Sequence, residues 1–289
     1  MTELDTALHR AQQHGTAGAL PVIGFGEVTT VIAWPPTAAR RAVKVLPPFQ
    51  SQHQLTRYRD VVAKYVSQLA EHGVVAVPSS VVEVAGGAGY HRAVMVQPLG
   101  RVDRLLSRVL DDSRRPEATR LLEQLVGLVI KAVDADTGLD AQVSNWIVAD
   151  DGALRYLDVT TPLMGDDDSL STVVGPLVCS VYPAVLRPVL RRFVVPSVVK
   201  TFHHVETVLV DIGGNLLREG LDRHVPALVD AARAYGIHLD PRSLWRYHRA
   251  DRRVWRTLKV LKSLDRSWNQ RVRRRPYPFL LSEGITWPG

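Results

Sequence analysis

Three stretches of the chain carry residue types suited to holding phosphate and a hard cation. The first is Gly24-Phe25-Gly26, which follows the apolar approach Pro21-Val22-Ile23 and precedes the β-branched alternation of Val28–Ala33. A glycine turn between antiparallel strands lets backbone N–H groups approach a phosphate without interference from Cβ atoms. Lys44, on the next predicted strand, can reach the same phosphates. Taken alone, the pair reads more readily as a plain hairpin turn followed by an exposed lysine. Two features count against that. Lys44 ends Arg41-Ala42-Val43-Lys44, a strand of buried character, and the chain has 30 arginines but only 6 lysines, so each lysine departs from its habit.

The second and third stretches lie about a hundred residues on. Asp140 and Asn145 stand five apart in Gly138-Leu139-Asp140-Ala141-Gln142-Val143-Ser144-Asn145. A short predicted β pair follows, Trp146–Ala149 and Leu154–Val159, turning at Asp150-Asp151-Gly152 and carrying Asp158 at its far end. Oxygen donors converging on one side of a hairpin suit Mg²⁺, a hard cation. The competing reading is an Asx-rich loop in which Asn145 caps a turn.

The elements that must position these residues follow from periodicity. Thr2–Gly15 is polar with Leu4, Ala7 and Leu8 at helical spacing. Val28–Ala33 and Ala42–Leu46 are predicted strands, joined by the turn Trp34-Pro35-Pro36-Thr37. Gln54–Glu71 is an amphipathic helix, with Leu55, Tyr58, Val62, Tyr65, Val66 and Leu69 recurring at three and four and Gly73 ending it. Val74–Val84 and Ala93–Val96 are strands, with Gly86-Gly87-Ala88-Gly89 between them. Beyond Gln97-Pro98-Leu99-Gly100 the chain is mainly helical, as in Val102–Leu110 and Pro116–Val133. The expected fold class is α+β: a small antiparallel β-rich front lobe over residues 1–97 and a larger helical lobe over 98–289.

The ordered set of glycine turn, strand lysine, helix, proline-marked hinge, D-x-x-x-x-N, hairpin and hydrophobic-Asp resembles the bilobal protein-kinase-like fold over about residues 20 to 165. Within it the chain is most similar to the aminoglycoside phosphotransferase and choline kinase branch. There the loop commonly reads like HGDLHPGN, followed by a short hairpin and an IDW-type aspartate. The resemblance implies ATP and Mg²⁺. Gly24 and Gly26 would cover the phosphates and Lys44 would bind them. Val96 and Gln97, with Met95, would form the hinge whose backbone meets adenine. Asp140 would accept or orient the acceptor proton, and Asn145 and Asp158 would hold Mg²⁺.

The departures are specific. The residue two before Asp140 is Gly138 where the family commonly has histidine, and the residue two after is Gln142 where a basic or imidazole residue is usual. The third loop glycine is missing. No glutamate lies in the middle of Gln54–Leu69 to pair with Lys44, which leaves Asp60 or Glu71. The leading expectation is an ATP/Mg²⁺-dependent phosphotransferase acting on a hydroxyl of a small metabolite or peptide. The rivals are a nucleotide-binding pseudokinase regulating a partner protein, a peptide Ser/Thr kinase working with a partner lyase, and a nucleic-acid or membrane-surface module.

The last rival rests on charge. The net charge is +7 over 289 residues. Arg242–Arg275 alone holds 13 Lys and Arg against Asp251 and Asp265, or +11, so the remainder is −4. Arginine alternates there with Trp245, Tyr247, Trp255 and Trp268, a pattern that could meet an anionic surface. Its apolar positions, among them Leu244, Tyr247, Val254 and Leu258, instead fit amphipathic helices with arginine in water, so specific nucleic-acid binding is not expected. If these helices wall the acceptor site, they suit an anionic acceptor and disfavour a polycation. Asp166-Asp167-Asp168 reads as a solvated acidic loop, His203-His204 as structural, Gly213-Gly214-Asn215 as a helix break and Cys179 as a buried small hydrophobe. A single cysteine makes no internal disulfide, and no predicted span or secretion signal is present. The expectation is a cytoplasmic protein without a transmembrane segment.

Overall fold

The computed structural model describes residues 2–14, 20–25, 29–87, 90–165, 173–180, 182, 187–194 and 200–250. The alternating, β-branched stretches form one antiparallel sheet of β1 (Val22–Phe25), β2 (Thr30–Trp34), β3 (Arg41–Val45), β4 (Ser80–Gly87) and β5 (Tyr90–Pro98), in the order β1-β2-β3-β5-β4. α1 (Thr2–His14) precedes it, and α2 (Gln52–Glu71) is inserted between β3 and β4. Ser51 caps α2 by accepting from the Gln54 amide at 3.2 Å, and Gly73, at φ +83°, turns the chain out of it.

The period-2 alternation of the strands sorts their side chains into two cores. Val43, Val45 and Val94 face one side with Ile32 and pack against Leu4, Leu8 and Ala11 of α1. Ala93 and Met95 face the other side, with Leu55, Tyr58, Val62, Tyr65 and Leu69 of α2. This second core runs on without a break into α3 (Leu106–Asp112), α4 (Arg115–Ala132), the two-stranded ribbon β6 (Trp146–Val148) and β7 (Leu154–Tyr156), α5 (Gly175–Ser180), α6 (Val205–Arg218) and α7 (Val225–Arg233). α4 packs against α6 and α7. Residues 241–250 are helical, with Leu244 and His248 buried and Arg242, Trp245, Arg246 and Arg249 exposed. The fold class is therefore α+β.

Several boundaries differ from the sequence reading. The Val74–Val84 strand is interrupted around Pro78. Ala76 makes a lone parallel bridge to Tyr156, and β4 starts only at Ser80. β5 runs from Tyr90 to Pro98, longer than its apolar stretch, because buried Arg92 sits within it. Val102–Leu110 is a 3₁₀ turn, Val102–Arg104, followed by α3. Gly213-Gly214-Asn215 is not a helix break. It lies inside α6, where a Cβ at Gly213 would come within 2.8 Å of Leu244 and one at Gly214 within 2.7 Å of Tyr247. The glycines are there to let the 241–250 helix pack closely.

Candidate functional site

β3 and β5 are adjacent, with Lys44 opposite Met95 and Ala42 opposite Gln97. Lys44 and Gln97 therefore emerge on the α2 side of the sheet, amid apolar neighbours. Each is buried, and an ammonium or amide taken from water must be met by partners. Both converge on one point across the chain. Lys44 Nζ donates to the Leu157 carbonyl at 2.8 Å and to Asp158 Oδ1 at 3.1 Å. Gln97 Nε2 donates to the same Leu157 carbonyl at 2.8 Å and to Ser79 Oγ at 2.8 Å. Asp158 Oδ1 also accepts from the hydroxyl and the amide of Thr160. Burial works to raise the Asp158 pKa, but the Lys44 charge and the Thr160 and Lys44 hydrogen bonds outweigh it and hold the carboxyl below its ordinary value.

The second loop lies beside the first. The Leu157 amide donates to the Asn145 carbonyl at 2.8 Å, which brings Asn145 next to Asp158. Asn145 Nδ2 donates back to the Asp140 carbonyl at 3.1 Å. Trp146 packs against Tyr156, the rings tilted by 55° with centroids 5.1 Å apart, and donates its indole N–H to the Ala141 carbonyl. Lys44, Asp140, Asn145 and Asp158 are thus gathered into one site.

Two helices grip this loop. Tyr58 and Tyr65, two turns apart on α2, donate to the Thr160 carbonyl at 2.9 Å and to the Gly138 carbonyl at 2.8 Å. α2 offers Lys44 no carboxylate: Asp60 and Glu71 are both exposed, and Glu71 accepts from Ser67. From the other side, α6 presents Asp211, Asn215 and Arg218 on one stripe at i, i+4 and i+7. Asn215 Oδ1 accepts from the Val143 amide at 2.8 Å, and Arg218 donates to Gln142 Oε1 at 2.7 Å. Buried Asp211 accepts from the Tyr247 hydroxyl at 2.6 Å. The Asp140 carboxyl is held well above its ordinary range, first by burial and then by the negative charges of Asp211 and Asp158; Arg218 acts in the opposite direction.

The sequence reading missed Asp211, Arg218, Tyr58 and Tyr65 as members of the site. One signal was available: three polar residues at i, i+4 and i+7 in the otherwise apolar stretch 208–218 mark a stripe that must meet polar partners. The structure also accounts for Gly138. A Cβ there would lie 2.8 Å from His203 Cε1 and 2.9 Å from Leu163 Cβ, so only glycine fits beneath that imidazole.

The remaining predicted residues are placed as follows. Gly24 is in β1 opposite Val31, where a Cβ would make only ordinary contact. Gly26 and Asp166-Asp167-Asp168 lie outside the described residues, as does the basic segment beyond Ala250. Val96 packs toward α1 and pairs with Val43, inside the ladder. Gln97 is still within β5, and the chain leaves the ladder only after Pro98. Cys179 is buried. Among the described residues no cluster of three or more His, Cys, Asp or Glu is placed to hold a metal ion, and no helix is long and apolar enough to cross a membrane.

A lysine–aspartate pair under an antiparallel sheet, beside a loop carrying a second aspartate and an asparagine, defines an α+β protein with a largely buried, charge-bearing polar cluster. Residues 3–266 match the model of a family described as DUF6206, a family of unknown function, and the chain belongs to that family. No curated protein matches it.

Proposed function

We propose that the chain is a phosphotransferase of the protein-kinase-like fold, carrying the terminal phosphoryl group of ATP to a hydroxyl of a small molecule or peptide, with Mg²⁺ as companion cation. The observation that carries this reading is the convergence of Lys44, Asp158 and the Asp140–Asn145 loop, drawn from positions up to 114 residues apart. The strand order and the single long helix between β3 and β4 support it. Residues 1–97 are the smaller, nucleotide-covering lobe and 98–289 the larger one. Gly24, in β1, and Gly26 cover the phosphates and Lys44 binds them. The break after Pro98, adjoining Val96 and Gln97, meets the adenine edge.

The leftover donors fit Mg²⁺. Asn145 commits Nδ2 to Asp140 and keeps Oδ1, while Asp158 commits Oδ1 to Lys44 and Thr160 and keeps Oδ2. Two hard oxygens with one negative charge leave room for waters and phosphate oxygens. When bound, the cation supplies neutralisation of phosphate charge. Asp140 is the base. Its carboxylate takes the acceptor's proton as the acceptor oxygen bonds to the γ-phosphorus and the bond to the bridging oxygen breaks, releasing ADP. Arg218, on Gln142, puts a positive charge beside the place where that transfer occurs and favours an acceptor that is not cationic.

The test is Asp140→Asn, close in shape and unable to take the proton, with ADP release followed over a panel of free and phosphorylated alcohols. The expected result is near-normal ATP affinity and at least about a tenfold loss of transfer, a conservative bound on the usual general-base contribution. Full activity in Asp140→Asn means Asp140 is not the base. One observation favours a second reading, a nucleotide-binding regulator without transfer: α2 meets the site with tyrosines and gives Lys44 no carboxylate. That reading takes the lead if both forms bind ATP equally and neither turns it over.

A further inference from the structure

A cavity of about 690 Å³ lies between the start of α2 on one side and α5 with residues 187–192 on the other. Its polar lining among the described residues is Gln50, Gln54, Ser180, Arg187, Arg191 and Arg192. Three arginines therefore line one concave space, and no aspartate or glutamate is among its described lining residues. Arg187 is fixed there. Its Nε donates to the Tyr182 carbonyl at 3.0 Å and one terminal nitrogen to the Ser180 carbonyl at 3.0 Å, which leaves its other N–H groups for the cavity. Arg187 and Arg191 both act electrostatically on Cys179 in the same wall, so their charges converge on it.

The opposite wall adds to this. Gln54 lies in the first turn of α2, a 20-residue helix with no acidic residue in that turn. The positive end of its dipole meets no carboxylate of its own first turn, and the Glu83 carboxylate, from β4, accepts from the Gln52 side chain at 3.3 Å. Gln54 Oε1 accepts from the Gln50 backbone amide at 2.8 Å, which holds the Gln54 side chain at the rim.

We propose that this cavity is a binding site for a small molecule carrying a phosphoryl group, separate from the Lys44–Asp158 site. Guanidinium groups match phosphate oxygens with paired, charge-assisted hydrogen bonds, and the side-chain amides of Gln50 and Gln54 add neutral donors to the wall. The volume lies within the range of small-molecule sites and exceeds the needs of a bare ion. The site does not depend on the phosphotransferase reading.

The experiment is titration calorimetry of the full chain with pyrophosphate, in the absence of divalent cation and nucleotide, with citrate as comparison. The wild type should bind pyrophosphate more tightly than citrate, with affinity falling as salt is added. Arg191→Gln/Arg192→Gln, at exposed positions, should weaken binding at least about tenfold, the loss of two charge-assisted contacts. Gln54→Glu keeps the acceptor for the Gln50 amide and favours the helix end, yet it adds a negative charge to the cavity, so it should weaken binding while the melting temperature holds. Arg115→Gln, an exposed arginine outside this lining, should leave binding unchanged. The proposal is overturned if the wild type does not bind, if the Arg191→Gln/Arg192→Gln variant binds like the wild type, or if Arg115→Gln weakens binding as much. Tighter binding of citrate overturns the phosphoryl class.

Discussion

The two faces of the sheet solve different problems with neighbouring residues of one strand. Val43 and Val45 point to α1 and are buried among Leu4, Leu8, Ile32 and Val94. Lys44, between them, points to α2 and is buried as well, yet it reaches two oxygens of the 157–158 turn. The α1 face around Val43 is held by apolar burial, which is tolerant of shape and intolerant of charge. The α2 face holds a charge because a loop more than a hundred residues away supplies its counter-charge. A cation is kept in a buried strand there at the cost of desolvation, which a purely structural contact does not require. That asymmetry is the physical reason to place function on the α2 side.

Moving the charge by one residue breaks the comparison most severely. Val43→Lys puts an ammonium into the α1 core with no carboxylate of that cluster to meet it. The expected cost is more than about 4 kcal/mol, a large part of a domain's stability, read as a lowered midpoint in chemical denaturation. Lys44→Met is milder. It leaves Asp158 partly buried without its cation, and breaking a fully buried pair costs about 3–5 kcal/mol. With the Asp158 side chain 30% exposed, about 2–3 kcal/mol is expected. The pH dependence has a definite sign. The Asp158 pKa is depressed in the folded chain, so its contribution is complete above the ordinary carboxylate value and is lost as pH falls through the folded one. The gap between wild type and Lys44→Met should therefore close on acidification. The smallest effect is Gln97→Leu. It removes two hydrogen bonds, but the Leu157 carbonyl keeps its Lys44 bond and Ser79 its bond to the Val77 carbonyl, so about 1–2 kcal/mol is expected.

Local elements were legible in the sequence because their signals are local. The apolar spacing of Gln54–Glu71 and the glycine after it located α2 to within two residues, and β-branched alternation located β2 and β3. Lys44, Asp140, Asn145 and Asp158 were legible as an ordered set, and the structure brings them together. What the sequence did not disclose was long-range pairing. Asp211, Asn215 and Arg218 lie about 70 residues beyond the loop they support, and their partners are chosen by helix packing rather than by spacing. Tyr58 and Tyr65 looked like core residues, and they are buried, but their hydroxyls at the ends of those rings fasten the two loops. Gly213-Gly214 misled for a related reason. Glycine inside a helix reads as a stop until the tyrosine and leucine of another helix are seen against it.

The Lys44–Asp158 pair is central to the whole account, and Mg²⁺-ATP titrated into the full chain by calorimetry tests it most directly. The account predicts saturable heat that is weakened at least about tenfold in Lys44→Ala, the loss of one charge-assisted contact, and that loses its Mg²⁺ dependence in Asp158→Ala. Millimolar Mg²⁺-ATP producing no heat and no change in the melting curve, or binding equally to the wild type and both variants, would contradict it.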